Sequence, residues 1–253
     1  PALRGKFLAG LHCARDGAVE SRVALPAMRL HLKETGRYSF RPGAEARSVD
    51  ATSDGVSVRA DDGEVYRADA VVMCAGAAHG GLVRELLGDF PVRRVRLQMM
   101  QTASLGEELT TAIADGDSLR YYPAFAGDAL DVLNAVQLQE PTAAEYKMQL
   151  LCVQRLHGGL TIGDTHEYTE PFAFDVDEAP YRHLINRAEE LLGRKLPPVV
   201  RRWAGVYSQC ADPTEIVYRR EAAPGLWVVT GPGGRGMTLG PAIGADTADL
   251  MNL

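Results

Sequence analysis

The spacing of apolar positions changes several times along the chain, and each change predicts an element. From Ser21 to Thr35 the apolar set Val23, Leu25, Met28, Leu30 and Leu32 predicts a helix. Pro26 is tolerated in its first turns, and Gly36 ends it. Before it, Lys6–Cys13 reads as a strand and Asp16-Gly17 as a turn; after it, Tyr38-Ser39-Phe40 reads as a short strand running into Pro42-Gly43. Residues 46–50, 55–60 and 64–68 follow as three short strands, the last two joined through Asp61-Asp62-Gly63. The run 69–76 is continuous rather than alternating, which predicts a strand buried on both faces, as in a parallel sheet.

Beyond Pro91 the texture changes. Strand-like runs recur at 92–102, 118–125, 148–155, 160–166 and 199–208, with a hairpin turn at His157-Gly158-Gly159. Helices are predicted near 142–146 and over 177–193, so this block reads as a mostly antiparallel sheet with helices to one side. The parallel-type pattern returns at Leu226–Thr230. The fold class is therefore mixed, α+β with α/β. A discontinuous nucleotide-type region (21–90 and 209–253) is interrupted by an antiparallel domain (1–20 and 91–208).

After the last apolar strand comes Gly231-Pro232-Gly233-Gly234-Arg235-Gly236, a G-x-G-x-x-G spacing, and then a helix start. That outline matches a dinucleotide-binding turn, but such a turn opens a βαβ unit of roughly 30 residues. Seventeen residues follow Gly236 in this sequence. The turn is thus expected to serve a site assembled by earlier segments, with its amides and the positive helix end facing an electron-rich group such as a flavin edge. The competing reading is a tight turn whose glycines only ease packing.

Composition narrows the classes. A chain of 253 residues can bury one large core or two modest ones, and 46% hydrophobic with 24% charged residues is globular. A net charge of -6 argues against nucleic acid or an anionic membrane as the main partner. Cys13, Cys74, Cys152 and Cys210 are scattered, with no metal-ligand spacing, so no metal site or disulfide framework is expected and a reducing cytoplasm fits. No stretch approaches 18 apolar residues, and the sequence opens Pro-Ala-Leu-Arg without signal-peptide features.

Several longer motifs carry a resemblance. Asp69-Ala70-Val71-Val72-Met73-Cys74-Ala75-Gly76, the inserted sheet, and Gly233-Gly234-Arg235-Gly236-Met237-Thr238-Leu239 resemble the D-amino-acid oxidase/glycine oxidase family of flavoproteins. Three further segments look like its branch associated with phosphonate catabolism: 97–102, 118–125 and 162–168. Arg202-Trp203-Ala204-Gly205-Val206-Tyr207 belongs with them. The family opens with a strand, GxGxxG and helix that this sequence does not contain, and Pro1–Gly5 resembles the start of a segment inside a full-length member.

The resemblance implies an incomplete, glutathione-reductase-like FAD-binding domain and FAD as cofactor. Ala46 would contact the adenine by its backbone, Ala75 and Gly76 would pass close to the cofactor, and Gly233, Gly234, Arg235, Gly236, Met237, Thr238 and Leu239 would wrap the flavin ring. It further implies that a neutral amine loses hydride to the flavin, giving an imine that water hydrolyses, with oxygen or another acceptor taking the electrons. The expected partner is a small anionic amine, with no nucleic acid and no membrane; a homo-oligomer is allowed. The alternative is a non-catalytic fragment or subunit that cannot bind FAD without an N-terminal nucleotide unit.

Period-2 geometry selects substrate candidates. Arg120 and Tyr122 are expected on one strand face, Asp164, His166 and Tyr168 on another, and Trp203, Gly205 and Tyr207 on a third. Arg120, Tyr122, His166 and Tyr207 are therefore the candidate pocket residues, with Arg120 suited to two oxygens of a carboxylate or phosphonate. Each also has a structural alternative: a surface ion pair, a core histidine, a buried tyrosine. The segment Gly205-Val206-Tyr207-Ser208 holds no Arg, where several amine oxidases of the wider family place one, which disfavours a plain α-amino acid. His12, His31, His79, His157 and His183 are read as structural or surface residues. Ser104, Ser118 and Ser208 lack a nucleophile-elbow context.

Overall fold

The computed structural model describes residues 3–253, so Pro1 and Ala2 of the expected substrate domain lie outside the described residues. In chain order the elements are α1 (Ser21–Glu34), β1 (Ala46–Thr52), β2 (Gly55–Ala60), β3 (Val65–Ala68), β4 (Val71–Met73), α2 (Leu82–Leu87), β5 (Val92–Ser104) and β6 (Ile113–Ala114). Two 3₁₀ turns follow (Gly116–Tyr121 and Pro123–Phe125), then α3 (Asp128–Val136), α4 (Pro141–Glu145), β7 (Leu151–Gln154), β8 (Gly159–Gly163), α5 (Glu178–Leu192), β9 (Val199–Cys210), β10 (Tyr218–Ala223) and β11 (Leu226–Thr230). A 3₁₀ turn (Gly233–Arg235) leads into α6 (Gly236–Leu250). No helix among the described residues is long and apolar enough to cross a membrane. The chain divides into two compact units: residues up to His31 with Arg96–Gly205, and Leu32–Val95 with Val206–Leu253.

The core of the first unit lies where α5 packs on a sheet of order β6-β7-β8-β5-β9. Helix α5 forms because Pro180, Tyr181, Leu184, Ala188 and Leu192 fall on one stripe, all buried, while Gly193 closes it in the left-handed region at φ 62°. Beneath that stripe lie Met100, Leu150, Leu160 and Ile162, and β8 is buried along its whole length. The β7–β8 pairing is antiparallel, with Cys152 opposite Ile162. Beyond β8, the segment 164–177 is fastened to β5 by buried polar groups. Arg96 is 3% exposed and donates from Nη1 to both oxygens of Glu167 at 2.8 and 2.7 Å, and also donates to the Asp175 carbonyl. Gln98 donates to Glu167 at 3.1 Å and accepts from the Asp177 amide at 2.8 Å. Removing one member of so buried an ion pair costs about 3–5 kcal/mol, so this clamp is what holds the post-β8 segment in place.

The second unit contains two small sheets. One is the antiparallel meander β1-β2-β3; the other has the order β10-β11-β4, with β11 parallel to β4 and Trp227 opposite Val72. Helix α2 covers the second sheet by packing Val83 and Leu87 against Val228.

Four expectations change. The run 118–125 is 3₁₀ rather than strand: Asp115 caps the Ser118 amide (3.0 Å) and hydroxyl (2.9 Å), and Pro123 has no amide for a ladder. Residues 6–13 and 38–40 form no strand, and neither segment belongs to any of the three sheets. The β4 run is parallel as expected but lies at a sheet edge, so Val72 is 40% exposed instead of covered on both faces. Strand β8 ends at Gly163, so Asp164, His166 and Tyr168 are not on a strand face.

Candidate functional site

In the second unit the glycine-rich turn is built from β11 outward. Gly231 adopts φ 81°, and a Cβ there would meet Cys210 Sγ at 3.0 Å; Gly233 adopts φ 62°. These two positions need glycine for backbone reasons. The turn faces an apolar groove of about 440 Å³ whose lining includes Cys74, Gly76, Thr230, Pro232, Gly236, Gly240 and Gly244. Gly236, Gly240 and Gly244 are four residues apart on α6, and a Cβ on either of the last two would enter open space. Hence the turn and the Gly76 corner, predicted separately from sequence, border one cavity.

That corner is held by a chain of hydroxyls. Thr230 Oγ1 lies 3.1 Å from the Gly76 carbonyl and 3.0 Å from Ser208 Oγ, which lies 2.8 Å from His79 Nε2. A carbonyl only accepts, so Thr230 donates to Gly76, Ser208 donates to Thr230, and His79 Nε2–H donates to Ser208. His79 and Ser208, read from sequence as incidental, thus fix the groove's edge. Tyr207 joins the turn directly, since its hydroxyl would lie 3.7 Å from a Cβ at Gly234. Arg235 instead donates to the Glu215 carbonyl at 3.2 Å. Met237 and Thr238 are exposed and Leu239 is half-buried. Ala75 packs at the small core around Val228. Ala46 opens β1 opposite Ala60 and is not among the groove's lining residues.

The first unit holds a second polar cluster. His166 is 3% exposed, and its Nδ1 lies 2.8 Å from the Lys147 carbonyl, so Nδ1 carries the proton and Nε2 keeps a lone pair. Burial pulls this imidazole down to about 4, so it is neutral near pH 7. Tyr121 stacks on it with ring centroids 4.2 Å apart. Beside them Asp164 is pinned by its backbone to Gln149 in both directions, at 2.7 and 3.0 Å. Its Oδ1 is sealed from solvent and has no hydrogen-bond partner among the described residues, although part of the residue stays accessible. Burial pushes this carboxyl up to about 7, against a smaller downward pull from its own amide. Burial likewise raises the Tyr122 phenol, with Gln149 hydrogen-bonded to it and Asp164 adding repulsion.

Arg120 is not part of that cluster. Its Nε donates to Asp117 at 2.7 Å, its Nη1 to Asn134 and its Nη2 to the Gln137 carbonyl at 2.9 Å, which ties the 3₁₀ turn to α3. The expectation that Arg120 and Tyr122 share a strand face fails because no strand exists there. Among the described residues Arg120 makes no hydrogen bond or ion pair with Tyr122 or His166. Asp164, Tyr121 and Gln149 escaped selection from sequence. The available signal was Asp164 itself, an acidic residue directly after the short strand Gly-Leu-Thr-Ile-Gly, which carries no charge.

A parallel strand pair ending at small residues, followed by a glycine-rich strand-to-helix turn, has the form of a nucleotide-cofactor fold, and the chain carries a separate antiparallel unit besides. The chain belongs to the FAD dependent oxidoreductase family (DAO), whose family model matches residues 1–250. It is 23% identical over 250 residues to a D-amino acid dehydrogenase of Chromohalobacter salexigens, covering 98% of this chain and 52% of that protein. Its fold is similar to L-proline dehydrogenase from P. horikoshii (17% identity, TM-score 0.66, 90% of this chain and 54% of that one). It is also similar to glycine oxidase from Geobacillus kaustophilus (20% identity, TM-score 0.57, 83% and 48%). The chain therefore spans about half the length of these relatives. FAD is the cofactor of the family, and the groove suits it: it is apolar, bordered by glycines that admit close approach, and open over Gly240 and Gly244.

Proposed function

We propose that the chain serves an FAD-dependent oxidoreductase acting on the C–N bond of a small amine, with the second unit holding part of the cofactor. One observation carries the reading: Gly76, beyond the parallel strand, and Gly236, at the start of the last helix, line the same apolar groove. The family match through residue 250 supports it over the non-catalytic alternative. In this reading Gly76 and Gly236, which line the groove, admit the cofactor, and Gly233 and Gly234 shape the turn beside it without lining it. The N-terminal end of α6 favours the cofactor's electron-rich edge by about 0.3–1 kcal/mol. Bound FAD supplies the two-electron oxidation, with oxygen or another acceptor taking the electrons onward.

The chain's own residues bind and orient. Tyr122 and neutral His166 present a phenol and an imidazole lone pair to the substrate, while Tyr207 steadies the turn at Gly234. Arg120 holds the 3₁₀ turn to α3 instead of meeting a ligand, so the anionic character of the substrate rests on the phosphonate-associated branch that the motifs resemble. Residues 21–31, 91–95 and 206–208 fall in the unit opposite to the one expected; otherwise the second unit takes the role expected for residues 21–90 and 209–253, and the first that expected for 1–20 and 91–208. All four cysteines are free, which supports a reducing compartment such as the cytoplasm.

Titrating FAD into the purified chain tests the proposal. A shifted visible flavin band that a small amine bleaches, and that Gly236→Val removes, is the expected result. A flavin spectrum identical to that of the free cofactor, with and without amine, overturns it.

A further inference from the structure

The Asp164 carboxyl is an anomaly that packing does not account for. The fully buried strand β8 delivers it, and paired backbone bonds to Gln149 prevent it from moving out to solvent. Buried carboxyl oxygens normally find a donor, and this one has none from any other described residue. The nearby charged groups are already engaged. The Lys147 ammonium lies over the Tyr168 ring, 4.8 Å from its centroid, and Glu167 is held by Arg96 and Gln98. The Tyr122 phenol is close enough for the Asp164 charge to raise it, and along the chain two residues further the buried His166 is stacked by Tyr121. A largely buried carboxylate with no cation paired to it among the described residues, and with the Tyr122 phenol close by, matches a compact ammonium group.

We propose that Asp164, beside Tyr122 and the Tyr121–His166 stack, is the counter-ion for the ammonium group of a small amine. The ligand class rests on the amine-oxidoreductase reading above; the site does not require the cofactor to be bound. Because the empty site holds the carboxyl partly protonated near neutral pH, binding at lower pH expels its proton to solvent, leaving the ammonium paired with the carboxylate. Affinity therefore rises as pH climbs through about 7, up to the point where the amine itself deprotonates.

The test is a chemical-shift titration of the full chain with methylammonium chloride, glycine and acetate, at pH 6 and pH 8, for the wild type and for Asp164→Asn and Tyr122→Phe. The expected result is methylammonium and glycine binding several-fold tighter at pH 8 than at pH 6, with acetate leaving the Asp164 and His166 resonances unmoved. Asp164→Asn then loses binding by tenfold or more and loses the pH dependence, while its melting temperature holds or rises. Tyr122→Phe keeps the pH dependence. Equal binding by wild type and Asp164→Asn overturns the proposal, and so does a melting temperature that falls in that variant, since the carboxyl would then be structural. Amine binding without any flavin-dependent bleaching fails the oxidoreductase reading alone. Bleaching with binding unchanged in Asp164→Asn fails this one alone.

Discussion

Asp164 and His166 sit two residues apart, and burial shifts them in opposite directions. A carboxyl raised from its usual value to about 7 binds more protons folded than unfolded. The stability it contributes is thus complete below about pH 4 and is lost as pH rises to about 7. An imidazole lowered to about 4 binds fewer protons folded. Its contribution is complete above about pH 6.5 and is lost as pH falls toward 4. The two slopes oppose each other across pH 4–6.5, so urea midpoints of the wild type are expected to be nearly flat there. Asp164→Asn should unmask the histidine slope, with stability rising by about 1–3 kcal/mol between pH 4 and 6.5. His166→Gln should unmask the opposite slope, and parallel profiles in all three proteins would contradict the assignment.

Arg120 belongs to the same scale. With its guanidinium committed to Asp117, Asn134 and Gln137, Arg120→Ala is expected to cost roughly 1–3 kcal/mol of stability. Binding of methylammonium to the first unit should be unaffected. Calorimetric unfolding and the titration described above read the two effects separately.

At the scale of elements, the β11–α6 turn contains glycines of two kinds. Gly231 is required by backbone and contact: its positive φ and the nearby Cys210 Sγ predict that Gly231→Ala destabilises by about 1–3 kcal/mol. Gly240 lies inside α6 with open space beyond it, so Gly240→Ala should stabilise the helix by roughly 0.5–1 kcal/mol. If that open space takes the cofactor, the same variant weakens FAD binding. A Gly240→Ala protein that gains stability and keeps full FAD affinity would move the cofactor away from this groove. Helix existence was legible here from Gly236 onward, as were β2 and β11, whose bounds match the sequence reading residue for residue. The 118–125 segment was not. Its alternating pattern imitates a strand, and only the Asp115 cap and the missing Pro123 amide turn it into 3₁₀.

Over the whole molecule, stability is unevenly distributed. Helix α1 buries none of its residues, whereas β8 and the inner face of α5 are fully enclosed. Hydrogen exchange is therefore expected to be fastest in α1 and slowest in β8 and α5. Comparable protection in α1 would mean that its apolar side, including Val23, Met28 and Leu30, is covered in solution.

Local patterning decided much of this protein by itself: the helices at 21–34 and 178–192, most strands, and the glycine-rich turn with its neighbouring small residues. Those features follow from the spacing of apolar side chains and from backbone freedom at glycine, both of which act over a few residues. Tertiary structure alone decided which polar groups matter. Arg120, a substrate candidate in the sequence, is spoken for by Asn134 and Gln137, while Asp164, passed over there, keeps a buried Oδ1 with no hydrogen-bond partner among the described residues. Hydrogen-bond satisfaction depends on residues distant in the chain arriving at one place, and no local pattern carries that information.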